Sequence, residues 1–158
     1  MKAFVMIGAP GSGKSTAARK LAKEHNAVIV CGDKIRRELY GDAANQGNWV
    51  EIHDKIVEQL EENVNQTVIL DGTHFNSSYR VGALLTLKTY GWSDIFAYVV
   101  NPPLDKCLIQ NAVRSRNVPR YVVISMYEKL QASLPELPYE GFTDIITHTS
   151  YYDNDASF

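Results

Sequence analysis

Two cysteines among 158 residues, Cys31 and Cys107, are too few for a disulfide framework or a metal-ligand set. Both lie in apolar surroundings, where a free thiol behaves as a small hydrophobe in a reducing compartment. No apolar run approaches the roughly 18 residues of a membrane span, so a membrane is not an expected partner. Met1-Lys2 leads straight into a strand-type run, without the charged-then-apolar leader of a secreted chain, and the expected location is cytoplasmic. Excess charge is missing as well. A formal charge of −2 excludes indiscriminate nucleic-acid binding through bulk charge, while leaving room for a local basic groove. Repeats, domain linkers and low-complexity tracts are absent, so the chain reads as one domain over 1–150 with a polar tail over 151–158. An apolar content of 45% is enough for that domain to bury a sizeable core.

What is present is an alternation of apolar, β-branched runs with helical patterns, the mark of a mainly parallel sheet covered on both faces. Strands are expected over Ala3–Ile7, Ala27–Cys31, Thr67–Leu70, Ile95–Val100 and Asp144–His148. Between them, helices are expected from the first loop to His25, Lys34–Tyr40, Asn48–Asn63, Ser77–Tyr90, Leu104–Arg114 and Arg120–Ala132. Gly32-Asp33 and Ser77 are the expected helix caps, and Leu134–Pro138 reads as a rigid connector. The fold class is therefore α/β, a five-stranded sheet between helices. In such sheets ligands bind beyond the carboxyl ends of the strands, which points to Gly8, Asp33, Asp71 and Asn101.

The first of these positions opens Gly8-Ala9-Pro10-Gly11-Ser12-Gly13-Lys14-Ser15-Thr16, a phosphate-binding loop between a strand and a helix. Its glycines let successive N–H groups converge on a polyphosphate, and the following helix adds its positive end. Lys14 brings charge to the β- and γ-phosphates, and the Ser15 hydroxyl can ligate Mg²⁺. Binding of a nucleoside triphosphate such as ATP follows. Asp33 can take a proton from an attacking hydroxyl, hold a Mg²⁺-bound water, or simply cap the next helix. Arg36, one turn on, can clamp a phosphate on the acceptor, while Arg37 should face solvent. Asp71 occupies the position of a second Mg²⁺-water ligand and, with Thr73 and Asn76 of the same loop, a substrate contact, while His74 there can be an acid or base, a substrate contact or simply part of the loop structure. Tyr79-Arg80 can extend the acceptor site or leave the arginine exposed on a helix. Arg114, Arg116 and Arg120 are concentrated in one turn, residues 110–120, where a lid over the transferring phosphate is expected, with Arg114 and Arg116 its leading members. His25, His53 and His148 carry no spacing signal.

These segments together resemble the kinase half of phage-type polynucleotide kinases, within the phosphate-loop kinases. The resemblance rests on Gly8 to Thr16, Asp33-Lys34-Ile35-Arg36, Asp71-Gly72-Thr73-His74-Phe75-Asn76, Asn111 to Arg116, and Val118-Pro119 with Ser125-Met126-Tyr127, in family order over nearly the whole chain. It implies transfer of the ATP γ-phosphate to the 5′-hydroxyl end of DNA or RNA. It also implies that Asp33 is the general base, that Arg36 binds the acceptor phosphate, and that Lys14 and Arg114 stabilise the γ-phosphate or leaving group. Homo-oligomers occur among such kinases, though no interface pattern is readable here. Two departures stand out. Gln110 occupies the place of the first of two lid arginines four residues apart, with Arg116 a substitute. Asp153-Asn154-Asp155-Ala156-Ser157 imitates the phosphatase motif found in many relatives, yet no apolar strand precedes it, so phosphorylation alone is expected. A kinase of nucleosides, sugars or antibiotics shares the same loop, as does a nucleotide-dependent switch, and the fold does not decide the acceptor.

Overall fold

The structure is a computed structural model that describes residues 1–41, 48–114 and 117–148. In chain order it contains β1 (Lys2–Ile7), α1 (Lys14–His25), β2 (Val28–Cys31), α2 (Gly32–Tyr40), α3 (Trp49–Glu62) and β3 (Val68–Asp71). There follow α4 (Ser77–Thr89), β4 (Asp94–Val99), α5 (Leu104–Val113), α6 (Arg120–Ser133), a 3₁₀ helix (Leu134–Tyr139) and β5 (Asp144–Thr147). The five strands form one parallel sheet in the order β2-β3-β1-β4-β5.

Alternation along β1 shows why the sheet needs helices on both faces. Phe4 and Met6 point to one side and pack with Ala17, Ala18 and Leu21 of α1 and with Ile69. Ala3, Val5 and Ile7 point to the other, against Ile52 and Leu60 of α3, Leu84 and Leu87 of α4, and Leu130 of α6. All five of these β1 side chains are buried, as a central parallel strand requires. The helices that follow β1 and β3 thus cover opposite faces, and these two strands are neighbours. Such a switch point between neighbouring strands is where sheets of this kind bind ligands, beyond the carboxyl ends.

The expected strands and helices all form, with ends displaced by a residue or two, and three local expectations are corrected. Helix α4 is capped by Asn76, whose side chain accepts from the Tyr79 amide, and Ser77 is its first helical residue. Helix α2 starts at Gly32 with Cys31 as the flanking residue and no side-chain cap. Asp33 therefore lies inside the first turn, where a carboxylate is favoured by the helix dipole. Residues 134–139 form a 3₁₀ helix, because Pro135 sits where its missing N–H costs nothing. The 151–158 tail, with its motif-like run, lies outside the described residues.

Candidate active site

The phosphate-binding loop is shaped by two left-handed glycines and two close approaches to neighbouring backbone. Gly11 and Gly13 adopt φ of +81° and +92°, in the left-handed region open to glycine. A β-carbon at Gly11 would overlap the Cys107 carbonyl oxygen of α5, and one at Gly8 would lie 2.7 Å from the Val100 carbonyl. Helix α1 begins at Lys14, with Gly13 as its left-handed flanking residue and no side-chain cap on its first amides among the described residues. Those free N–H groups face the loop and suit an anion. Pro10 and Ser12 are buried, Lys14 is half-buried, and Ser15 and Thr16 are exposed at the mouth. The buried Ser12 hydroxyl has no partner among the described residues.

Asp71 ends β3 beside this loop. Its Oδ2 accepts a hydrogen bond from the Ser15 hydroxyl at 3.0 Å, while Oδ1 is buried and has no partner among the described residues. An orphaned carboxylate oxygen beside a hydroxyl is a donor set of hard oxygens that fits a water-ligated Mg²⁺. Among the described residues there is no group of three or more His, Cys, Asp and Glu side chains to hold an ion without substrate.

One strand further out, Cys31 pairs in register with Asp71, so the loop after β2 lies beside the loop after β3. The Cys31 thiol is pushed up by burial and by the negative charge of Asp71, with a smaller contribution from Asp33. Asp33 and Arg36 form an ion pair of 3.0 Å across one turn of α2. The Asp33 side chain is half exposed, whereas that of Arg36 is mostly covered and leaves its Nε buried without a partner among the described residues. Arg37 is exposed, as expected.

The loop from Gly72 to Asn76 is heavily committed to structure. The Thr73 carbonyl accepts from the Gly8 amide at 3.1 Å, tying this loop to the first residue of the phosphate loop. The Asn76 amide oxygen receives both Tyr79 N and Ser78 Oγ at 2.9 Å, so it serves α4. His74 has φ +45°, and its Nδ1 lies 2.7 Å from the Met6 carbonyl. A carbonyl can only accept, so Nδ1 carries the proton. Burial holds the ring below the usual histidine range, and it stays neutral with Nε2 as an acceptor.

Neither expectation for Arg80 survives. It is neither exposed nor part of an acceptor site: it is wholly buried in an ion pair with Glu140. Its side-chain partners, Ser133 and Glu140, lie 53 to 60 residues downstream, where no helical spacing rule reaches. Arg114 follows α5 with extended backbone and a half-buried side chain. Arg116 lies outside the described residues. Gln110 projects from α5 over the loop, its Oε1 lying 3.8 Å from where a β-carbon on Gly13 would be. Asn111, buried, grips the far side of this turn in a two-way bond with Val118, at 2.8 and 3.1 Å. The sequence offered no sign of that clamp.

A phosphate loop, a hydroxyl–carboxylate pair and an α/β sheet of this order define a P-loop kinase fold. The chain matches the family described as AAA domain over residues 4–137 and belongs to that family. L-seryl-tRNA(Sec) kinase of Methanococcus maripaludis is 26% identical over 139 residues, covering 80% of this chain and 51% of that protein. A chain of the Pnkp1/Rnl/Hen1 RNA repair complex superposes with a TM-score of 0.70 at 23% identity, over 85% of this chain and 45% of its own. Kti12 of Chaetomium thermophilum, solved with ADP-AlF3, gives 0.72 at 15% identity, over 98% and 92%. At such identities the structural likeness is one of fold. Adenylate kinases and a gluconokinase from Sinorhizobium meliloti are also among the matches. The chain spans about half or less of the length of the curated relatives it matches. Among the described residues no helix is long and apolar enough to cross a membrane.

Proposed function

We propose that this chain is an ATP- and Mg²⁺-dependent polynucleotide kinase that phosphorylates the 5′-hydroxyl end of DNA or RNA. The observation that carries the reading is the Asp33–Arg36 pair at 3.0 Å, set beyond β2 on the side of Asp71 away from the phosphate loop. A half-exposed carboxylate there can take the proton of an incoming hydroxyl. The mostly covered guanidinium, with N–H groups beyond the one that bonds Asp33, can hold the phosphate that follows the end nucleotide. On the donor side, Lys14 and the amides of residues 11–15 bind the β- and γ-phosphates, with Pro10 and Thr16 bounding the loop. Ser15 and Asp71 would hold Mg²⁺, which when bound neutralises charge on the transferring phosphoryl group. Thr73 and Asn76 Nδ2 border the acceptor, and Arg114, with Arg116, stabilises the spread negative charge. Catalysis in this arrangement is positioning and charge stabilisation.

The second reading is a small-molecule kinase, favoured by the adenylate kinases and the gluconokinase among the matches. Transfer of labelled γ-phosphate from ATP separates the two, with 5′-hydroxyl DNA, 5′-hydroxyl RNA and a nucleoside mixture as parallel acceptors. Label on an oligonucleotide, reduced roughly 10²–10⁴-fold in Asp33→Ala and also lost in Lys14→Ala, supports the proposal. Label on nucleosides alone overturns it.

A further inference from the structure

Arg80 spends every donor it has inside the protein. Nε and Nη2 grip Glu140 at 2.7 and 2.8 Å, Nη2 also reaches the Ser133 carbonyl at 3.0 Å, and Nη1 reaches the Ser133 hydroxyl at 3.0 Å and the His74 carbonyl at 3.1 Å. A guanidinium has five N–H groups, and these bonds use all five. Ser133 in turn presents its own hydroxyl hydrogen to the Phe75 carbonyl at 2.9 Å, with Leu130 O at 3.1 Å as the alternative. Two successive carbonyls of the loop after β3 are therefore held by one buried cluster at the carboxyl end of α6.

Burying a guanidinium merely to stabilise a fold is a poor exchange, since an apolar side chain of similar volume often does as well. The fork does something an apolar residue cannot: it fixes backbone carbonyls in place. The carbonyls it fixes belong to a loop with His74 in the left-handed region, a conformation that holds only where the surroundings determine it. On its other side the same loop is pinned at Thr73 O by the Gly8 amide. Helix α6 is itself anchored across the strand ends, where Gln131 and Asn101 exchange amide bonds of 3.1 and 2.7 Å.

We propose that Arg80, through Ser133 and Glu140, is a positioning residue that joins the carboxyl end of α6 to the loop 72–76 and so to the phosphate loop at Gly8. The inference rests on the reading of this edge as the kinase site, but its first test requires no acceptor. Amide hydrogen exchange is followed with and without ADP in the wild type and in Ser133→Ala, which spares the Arg80–Glu140 pair and is the variant expected to fold. In the wild type, ADP slows exchange in residues 72–76 and at the end of α6. In Ser133→Ala, basal exchange of 72–76 rises about tenfold and the ADP effect on α6 disappears, while ADP affinity stays within about twofold. Arg80→Lys, which keeps a charge for Glu140 but not the fork, behaves the same way. Unchanged exchange in 72–76, or an ADP effect on α6 that persists in both variants, overturns the proposal, as does a wild type in which ADP leaves α6 unaffected. A second arm uses transfer kinetics: both variants lose about tenfold in kcat with the KM for ATP unchanged, whereas a merely structural role lowers the melting temperature and leaves kcat intact. Wild-type protein that labels no acceptor would count against the proposed function, and the exchange results would still decide the role of Arg80.

Discussion

Three glycine-to-alanine substitutions separate backbone strain from steric overlap in the phosphate loop. At Gly11 an alanine meets two costs. Its φ of +81° is left-handed, worth about 1–2 kcal/mol against a side chain. Its methyl group also overlaps the Cys107 carbonyl oxygen and lies 3.0 Å from the Asn111 amide nitrogen. Both partners are backbone of α5, so no rotamer change relieves the clash, and overpacking of this kind costs about 1–3 kcal/mol. Together the two reach roughly 2–5 kcal/mol. Gly13, at +92°, carries the first cost alone, because the nearest atom to its added methyl is Gln110 Oε1 at 3.8 Å. Gly82 carries neither: it lies within α4 with nothing inside 4 Å, and alanine there should stabilise by about 0.5–1 kcal/mol. For a chain of this size each kcal/mol moves the melting temperature by about 2–4 °C. Nucleotide-free thermal unfolding should therefore order the proteins as Gly82→Ala, wild type, Gly13→Ala and Gly11→Ala, with the last roughly 4–20 °C below wild type. Equal melting temperatures for the Gly11 and Gly13 variants would refute the overlap with α5, since only that overlap distinguishes them.

Further outcomes follow from individual side chains. Asp71→Asn should raise the Mg²⁺ concentration needed for half-maximal transfer about tenfold or more, because it removes the charge that the buried Oδ1 and Oδ2 offer a cation; a metal titration of transfer rate checks this. Burial pushes the Cys107 thiol up to about 11 and also raises that of Cys31, so native protein at about pH 8 should react slowly with a thiol reagent and denatured protein should release two fast equivalents. His74, neutral in the fold, has a native pKa below its unfolded value of about 6.5, so the unfolded chain takes up the proton first. Stability from this group is complete above that value and is lost as pH falls below it. Melting curves from pH 7 to 5 should show the decline, and His74→Asn, which tolerates φ +45°, should flatten it.

How far the sequence could be read depended on how far apart along the chain the partners lie. The phosphate loop is nine consecutive residues and was legible at once. Asp33 with Arg36 was legible because a helical turn brings residues three apart together, and the 3.0 Å bond is that turn. Ser15 and Asp71 are 56 residues apart and were linked only by the rule that parallel strands deliver their following residues to one edge. The choice between Asn76 and Ser77 as a cap was beyond composition, since both are good capping residues and the entry of the chain into α4 decides.

Arg80 marks where such reading stops. On a helix an arginine is exposed by default, and nothing within four residues contradicts that. Its burial is set by Ser133 and Glu140, and these reach it only because α6 and the 3₁₀ helix return the chain across the sheet toward α4. The motif residues face a ligand that all phosphate-loop enzymes share, so their pattern is local and recurrent. The residues that hold the motif in place answer to this chain's own connections, and only coordinates bring them together. The acceptor falls between these cases, because the groups that would choose it sit on α2 and the loop 72–76, whose placement depends on that second set.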